Sequence, residues 1–153
     1  MTERFESVEA VLDFAIGNEI EAQHFYRDLA AQASVPAMKK AFEEFVHEEA
    51  GHQAKLEGVK QGDFSFGSGA AKVQSLGMAD YLVASEPKPD MTYAEALILA
   101  MKKEKAAYKL YSDLAAAAET AELTDLFQAL AAEEAKHKLR FEIEYDDVVL
   151  KED

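Results

Sequence analysis

Residues 38–59 read MKKAFEEFVHEEAGHQAKLEGV and contain the pattern that decides the fold. Steps of four and three residues keep to one face of an α-helix. Here they select a single row of side chains: Met38, Phe42, Phe45, Glu49, His52, Leu56 and Val59. The row is apolar at both ends, and its centre holds a glutamate and a histidine one helical turn apart. The stretch therefore predicts a buried helix whose core face is interrupted by Glu-x-x-His.

The same pattern recurs 85 residues later in the chain. Three polar residues of the apolar rows return at this offset: Glu19 as Glu104, Glu49 as Glu134 and His52 as His137. A duplicated helical hairpin is the simplest account of such a repeat, and two hairpins pack as a four-helix bundle. We therefore expect an all-α fold built from two repeated hairpins, with a long connection between the second and third helices.

Glycine and proline positions set the expected helix bounds within a single domain spanning residues 1–153. The long stretches that contain almost no Gly or Pro predict four helices, at about 5–33, 37–60, 92–118 and 122–147. Thr92 and Glu95 have the spacing of a capping box at the start of the third. Most of the glycines and two of the three prolines fall in the remaining crossover, 61–91, with a short helix expected near 78–84.

The repeat also places the polar positions at one height in the bundle. Glu19 and Glu49 are centred on residue 34, and Glu104 and Glu134 are centred on residue 119, inside the two predicted turns. Residues equidistant from a turn lie level in two antiparallel helices. The four glutamates should therefore meet at mid-bundle, with the histidines about one turn further along, roughly 4.5 Å away.

Composition excludes several classes of function. The net charge is −14, from 16 basic and 30 acidic residues, which argues against nucleic acid or an anionic membrane as a partner. The chain contains no cysteine, which excludes disulfides, thiolate catalysis and cysteine-ligated metal centres. No N-terminal signal or long apolar run is present, so we expect a soluble, cytoplasmic protein.

Four buried carboxylates need positive charge close to them. Four glutamates in a helical core repel one another and lose hydration, and neither Lys nor Arg occurs in the four apolar rows. Two divalent cations would balance them, with the histidines as neutral donors. Carboxylate oxygen with imidazole nitrogen suits iron and manganese, and also zinc. The alternative, a protonated or hydrated core without metal, leaves the symmetric spacing unexplained.

The pattern Glu19…Glu49-x-x-His52…Glu104…Glu134-x-x-His137 resembles the ferritin-like superfamily, and most closely its rubrerythrin branch, over nearly the whole chain. The resemblance implies two iron ions that react with hydrogen peroxide or dioxygen. It also implies that Glu49 and Glu134 bridge the ions at the catalytic centre. The implied terminal ligands are Glu19 with His52 and Glu104 with His137. A homodimer, with or without exchanged helices, is implied as well.

Two departures from the rubrerythrin pattern stand out. Ala107 occupies the position, one turn after Glu104, where rubrerythrins carry an additional carboxylate, so the centre resembles the symmetric centres of bacterioferritins. The cysteine-rich electron-transfer domain of rubrerythrins is also missing, which implies a separate electron-donor protein. Two alternatives therefore stay open: a ferroxidase that stores iron in a shell, and a bundle in which the metals are only structural.

Four further residues are candidates for supporting roles. Tyr26 and Tyr111 follow the single glutamates by two helical turns, where they either hydrogen-bond a ligand or fill the core. Glu48 and Glu133 precede the bridging positions, where they either orient a ligand or belong to the solvated surface. The sequence does not decide between these roles.

Overall fold

The computed structural model describes residues 4–62, 66, 69–83, 88 and 90–152. Within them, the elements in chain order are α1 (Val8–Gln32), α2 (Pro36–Lys60), α3 (Ala70–Gln74), a 3-10 helix (Met78–Tyr81), α4 (Tyr93–Ala117) and α5 (Ala121–Glu152). α1 packs along α2, and α4 packs along α5. The all-α fold and its two helical hairpins are thus confirmed.

The start of α1 differs from the predicted start at residue 5. The hydroxyl of Ser7 accepts a hydrogen bond from the backbone N–H of Ala10 at 3.0 Å, so Ser7 is the N-cap and the helix begins at Val8. Phe5 lies outside the helix and is buried, with its ring centroid 6.4 Å from that of Tyr81. Phe5 therefore packs against the crossover rather than extending the helix.

The last helix is longer than expected. α5 continues to Glu152 instead of ending near residue 147. Neither Gly nor Pro follows residue 147, and Val148 packs against an apolar cluster of the bundle. The predicted capping box of Thr92 and Glu95 does begin α4. None of the helices in the described residues combines the length and apolar character that crossing a membrane requires.

The crossover between the hairpins lies against α1 and α4. The expected short helix near 78–84 is the 3-10 helix Met78–Tyr81, and residue 84 lies outside the described part of the chain. The Tyr81 hydroxyl donates a hydrogen bond to Asp113 of α4 at 2.7 Å. This contact joins the crossover to the C-terminal part of α4.

The core is divided into two apolar clusters. One surrounds Leu12, Leu56 and Phe127, and the other surrounds Leu29 and Phe141. The buried polar residues among those described are Glu19, Glu49, His52, Glu104, Glu134, His137 and Glu144. The first six separate the two clusters, so the middle of the bundle is a polar layer.

Gly69 provides a test of how the crossover packs. A Cβ atom built on Gly69 would lie 2.0 Å from the backbone carbonyl oxygen of Ala117, which cannot rotate away. Gly69→Ala is therefore expected to push the crossover off the end of α4 and to lower the free energy of unfolding by about 1–3 kcal/mol, measured by urea denaturation.

Gly17 in α1 is the matched control. A Cβ atom there would meet no atom within 4 Å, and alanine favours a helix over glycine by about 1 kcal/mol. Gly17→Ala is therefore expected to raise the free energy of unfolding. Equal effects of the two substitutions would contradict the close packing of Gly69.

Candidate metal centre

All four long helices contribute side chains to the polar layer. α1 and α4 each contribute one glutamate, and α2 and α5 each contribute a glutamate and the histidine three residues after it. Three residues is just under one helical turn, so each such pair points inward together. The six residues that the sequence singled out as ligands are brought together, each only 1–2% exposed: Glu19, Glu49, His52, Glu104, Glu134 and His137.

The ligand atoms of these residues form two overlapping groups. The groups are Glu19, Glu49, His52 and Glu134, and Glu49, Glu104, Glu134 and His137. Within each group, one ligand atom per residue lies within 4.8 Å of the others. Glu49 and Glu134 belong to both groups, so their carboxylates are placed to contact two ions at once.

Both histidines turn the same ring nitrogen towards the centre. Nδ1 of His52 lies 2.8 Å from Oε1 of Glu134 and 3.3 Å from Oε1 of Glu49. Nδ1 of His137 lies 3.3 Å from the same oxygen of Glu49. Nδ1 is therefore the nitrogen available to a metal ion in each ring.

Six buried side-chain atoms lack a hydrogen-bond partner among the described residues. They are Glu19 Oε2, Glu49 Oε1, His52 Nδ1, Glu104 Oε2, Glu134 Oε1 and His137 Nδ1. His52 Nδ1 and Glu134 Oε1, for example, lie 2.8 Å apart without forming a hydrogen bond. A buried polar atom without a hydrogen-bond partner destabilises the folded protein. Each of the six residues leaves one such atom, a carboxylate oxygen or an imidazole nitrogen, available to bind a metal ion. Four carboxylates and two imidazoles suit two divalent ions such as iron, manganese or zinc.

The two tyrosines hydrogen-bond across the hairpins. The Tyr26 hydroxyl donates to Glu104, and the Tyr111 hydroxyl donates to Glu19. Burial, followed by the charge of the bonded glutamate, raises the pKa of each phenol well above its usual value. Both phenols therefore keep their protons, and each fixes one oxygen of a carboxylate whose other oxygen is unpaired.

Glu48 and Glu133 orient the histidines. Nε2 of His52 donates to Glu133, and Nε2 of His137 donates to Glu48. The two glutamates are 39% and 47% exposed at their side chains, for Glu133 and Glu48 respectively, so they link the buried rings to solvent. A hydrogen bond at Nε2 fixes the tautomer that leaves Nδ1 free for a metal ion. Of the two roles that the sequence left open, orientation of a ligand and a place on the solvated surface, the hydrogen bonds to the rings favour the first.

Without cations, the centre holds protons. Burial raises the pKa of Glu49 and Glu134 well above the usual carboxyl range, and the charge of Glu104 adds to the effect. Burial acts to lower the pKa of His52, but the nearby carboxylates outweigh it and hold the pKa at about 9. The same balance raises the pKa of His137 to about 11. Protons therefore take the place of metal charge in the metal-free protein.

Comparisons with known proteins agree with this geometry. A family model for rubrerythrin matches residues 10–145, a range that includes all six central residues. None of the curated proteins matches the sequence.

Two solved structures have a similar fold. The crystal structure of a proposed ferritin-like diiron-carboxylate protein from Thermotoga maritima has a TM-score of 0.78 at 22% identity, over 95% of this chain and 99% of the other. A hypothetical protein from Pyrococcus furiosus has a TM-score of 0.71 at 26% identity, over 92% of this chain and 89% of the other. The fold is therefore that of a ferritin-like helical bundle.

Proposed function

The chain belongs to the rubrerythrin family, and we propose that it is a di-iron oxidoreductase that reduces hydrogen peroxide or dioxygen. The proposal is carried by the two overlapping ligand groups, whose unpaired donor atoms suit two divalent ions. Iron ions bound there would supply the electrons by passing from the ferrous to the ferric state.

The ligand roles follow from membership of one or both groups. We assign Glu49 and Glu134 as bridging ligands because each lies in both. The terminal pairs are Glu19 with His52 and Glu104 with His137. With two divalent ions present, the four carboxylate charges are balanced and both imidazoles remain neutral.

The surrounding residues hold this arrangement while the charge of the metals changes. Tyr26 and Tyr111 each anchor one oxygen of a terminal glutamate. Glu48 and Glu133 hold the imidazole rings through Nε2. Loss of such supporting contacts commonly costs about 10–100-fold in metal affinity or activity, so we assign these four residues a positioning role.

Oxidation of the ferrous protein tests the proposal directly. Metal-free protein is loaded with ferrous iron without air and mixed rapidly with hydrogen peroxide or with dioxygen, and absorbance of the ferric product is followed. At least one oxidant is expected to oxidise the protein within seconds. Two electrons leave the protein for each hydrogen peroxide reduced to two waters, so one peroxide is consumed per two ferrous ions.

A chain that binds iron but reacts with neither oxidant would reject the oxidoreductase proposal and leave a structural role for the metals. Free ferrous iron also reacts with peroxide, so the matched control is a chain with Glu49→Gln and Glu134→Gln at the same iron concentration. Its reaction should equal that of iron alone.

We also propose two partners, a separate electron-donor protein and a second copy of this chain. Leu139 and Ile143 are 57% and 46% exposed on the outer face of α5. Pairing two copies of α5 antiparallel about Leu139 would place Ile143 opposite Ala135 and Lys136 opposite Glu142, matching both size and charge. One chain supplies all six metal-ligating residues. The proposed dimer therefore requires no exchange of helices between the two copies.

Sedimentation distinguishes these assemblies. A dimer that becomes monomeric with Leu139→Glu would support the α5 interface, because that change buries a charge where two helices meet. A dimer unaffected by the substitution would reject this interface. A large cage would instead favour the iron-storage alternative.

A further inference from the structure

A cavity of about 190 Å³ lies between α1 and α4, beside residues 81–83 of the crossover. The four central glutamates line it: Glu19, Glu49, Glu104 and Glu134. His52 and His137 do not line it. A molecule in the cavity therefore approaches the centre from its carboxylate side, and the imidazoles do not stand in its way.

Small and apolar residues form the walls. Ala22 and Ala107 occupy equivalent positions of the internal repeat and face the cavity from α1 and α4. Phe14, Leu82 and Val83 add apolar surface around them. The two alanines leave the space open, since a larger side chain at either position would fill it.

The charges around the cavity favour a neutral occupant. Besides the four central glutamates, the charged residues lining it in the described part of the chain are Glu21 and Lys103. Two divalent ions would balance the central glutamates, and the charges of Glu21 and Lys103 balance each other. An occupant with a net charge would find no unmatched partner among the described residues that line the cavity.

The volume exceeds what dioxygen or hydrogen peroxide requires. Both have two heavy atoms, and a cavity of about 150 Å³ engineered in another protein holds benzene. The two ions would take the part of the 190 Å³ beside the glutamates, and the part bordered by Phe14, Leu82 and Val83 is the space that a short alkyl group would occupy.

We propose that this cavity binds the hydrocarbon part of a small, neutral alkyl hydroperoxide, with its peroxide end at the four glutamates. The inference rests on the proposed function and names its substrate class. Reduction of such a substrate breaks the O–O bond, takes up two electrons and two protons, and releases an alcohol and water. The electrons are the two that the ferrous pair gives up, and the protons come from solvent.

Two peroxides of different size test the inference. The ferrous protein is mixed with tert-butyl hydroperoxide or with hydrogen peroxide, and both are expected to oxidise it. Ala107→Leu should slow the reaction with tert-butyl hydroperoxide about tenfold or more, because the added side chain takes the space of the alkyl group. The reaction with hydrogen peroxide should change little, since a two-atom molecule still fits.

Ala22→Leu fills the same cavity from the opposite helix and should act in the same way. It keeps the test decisive if Ala107→Leu fails to fold, which circular dichroism and metal content would reveal. Ala54→Leu on α2 is the matched control, because Ala54 is exposed, does not line the cavity and lies outside the proposed α5 interface. This control should alter neither rate.

Binding of the product alcohol provides a readout without turnover. In the zinc-loaded protein, saturation-transfer NMR should detect tert-butanol bound to the parent chain and to Ala54→Leu, but not to Ala107→Leu or Ala22→Leu. If hydrogen peroxide reacts while tert-butyl hydroperoxide does not, the inference is wrong and the proposed function stands. If neither peroxide reacts, the inference is wrong, and the reaction with dioxygen then decides the proposed function. If tert-butanol does not bind to the parent chain, the inference is wrong, whichever peroxide reacts.

Discussion

Replacing both residues proposed to bridge the ions, by Glu49→Gln and Glu134→Gln, is expected to abolish the binding of two divalent ions per chain. Each glutamate belongs to both ligand groups, so the paired change weakens both positions at once. Glutamine has nearly the same shape, but its neutral amide oxygen does not balance metal charge. Metal content after loading and desalting, read by mass spectrometry, gives the result.

The same substitutions should make the metal-free protein more stable. The parent chain buries Glu49 and Glu134 in a layer where burial and Glu104 raise the pKa of both, so their ionised forms oppose folding. Glutamine is neutral without a proton, so the two substitutions remove the free-energy cost of protonating both carboxyls on folding at neutral pH. Weaker metal binding combined with a more stable metal-free protein is the result expected for glutamates that bind metal ions and do not stabilise the fold.

Exposed glutamates of α2 serve as the control. Glu43→Gln with Glu57→Gln removes the same charge and leaves the polar layer intact, since both side chains are exposed. Metal binding should be unchanged in this variant. If the Glu49 and Glu134 variant still bound two ions per chain, the assignment of the centre would be wrong.

The height of the polar layer could be predicted because helical rise is fixed. Equal distances from a turn place Glu19 level with Glu49, whatever the packing angle between the helices. The second hairpin repeats the first at an offset of 85 residues, so Glu104 and Glu134 lie level with each other for the same reason. Sequence alone therefore predicted which residues meet, and the structure places all of them in one layer.

Contacts between the hairpins could not be predicted in the same way, because they depend on how the helices are rotated and which hairpin lies opposite. The sequence placed Tyr26 on the row of Glu19, yet its hydroxyl reaches Glu104 of the other hairpin. Phe45 also belongs to an apolar row, but its ring centroid lies 4.1 Å from that of His137. The repeat counterpart of Phe45 is Leu130, so the two halves of the centre differ in their surroundings.

The cavity beside the centre depends on the crossover, whose path the helical pattern does not determine. Ala22 and Ala107 are recognisable as small residues in the sequence, but small residues in a bundle usually allow helices to approach closely. Here the crossover residues Leu82 and Val83 form part of the wall, and space remains. Neither the periodicity nor the repeat contains that information.

The metal-free protein is expected to lose stability as the pH rises from about 6.5 to about 9. In the folded chain the pKa of His52 is about 9 and that of His137 about 11, both above the ordinary value of 6.5. The folded state therefore keeps protons that the unfolded state has already released, and stability falls as the pH rises. Each retained proton contributes up to about 1.4 kcal/mol per pH unit, or about 3–6 °C in the melting temperature of a chain of this size.

The metal-loaded protein should behave in the opposite way. Cations displace the protons from the centre, so their affinity and the stabilisation they confer increase with pH. Melting temperatures with excess cation and with a chelator should therefore diverge between about pH 6.5 and about pH 9. His52→Asn should reduce the slope of the metal-free protein, whereas His47→Asn, at an exposed position of α2, should preserve it. A metal-free melting temperature that rose across this range would mean that the histidines are not held protonated by the surrounding carboxylates.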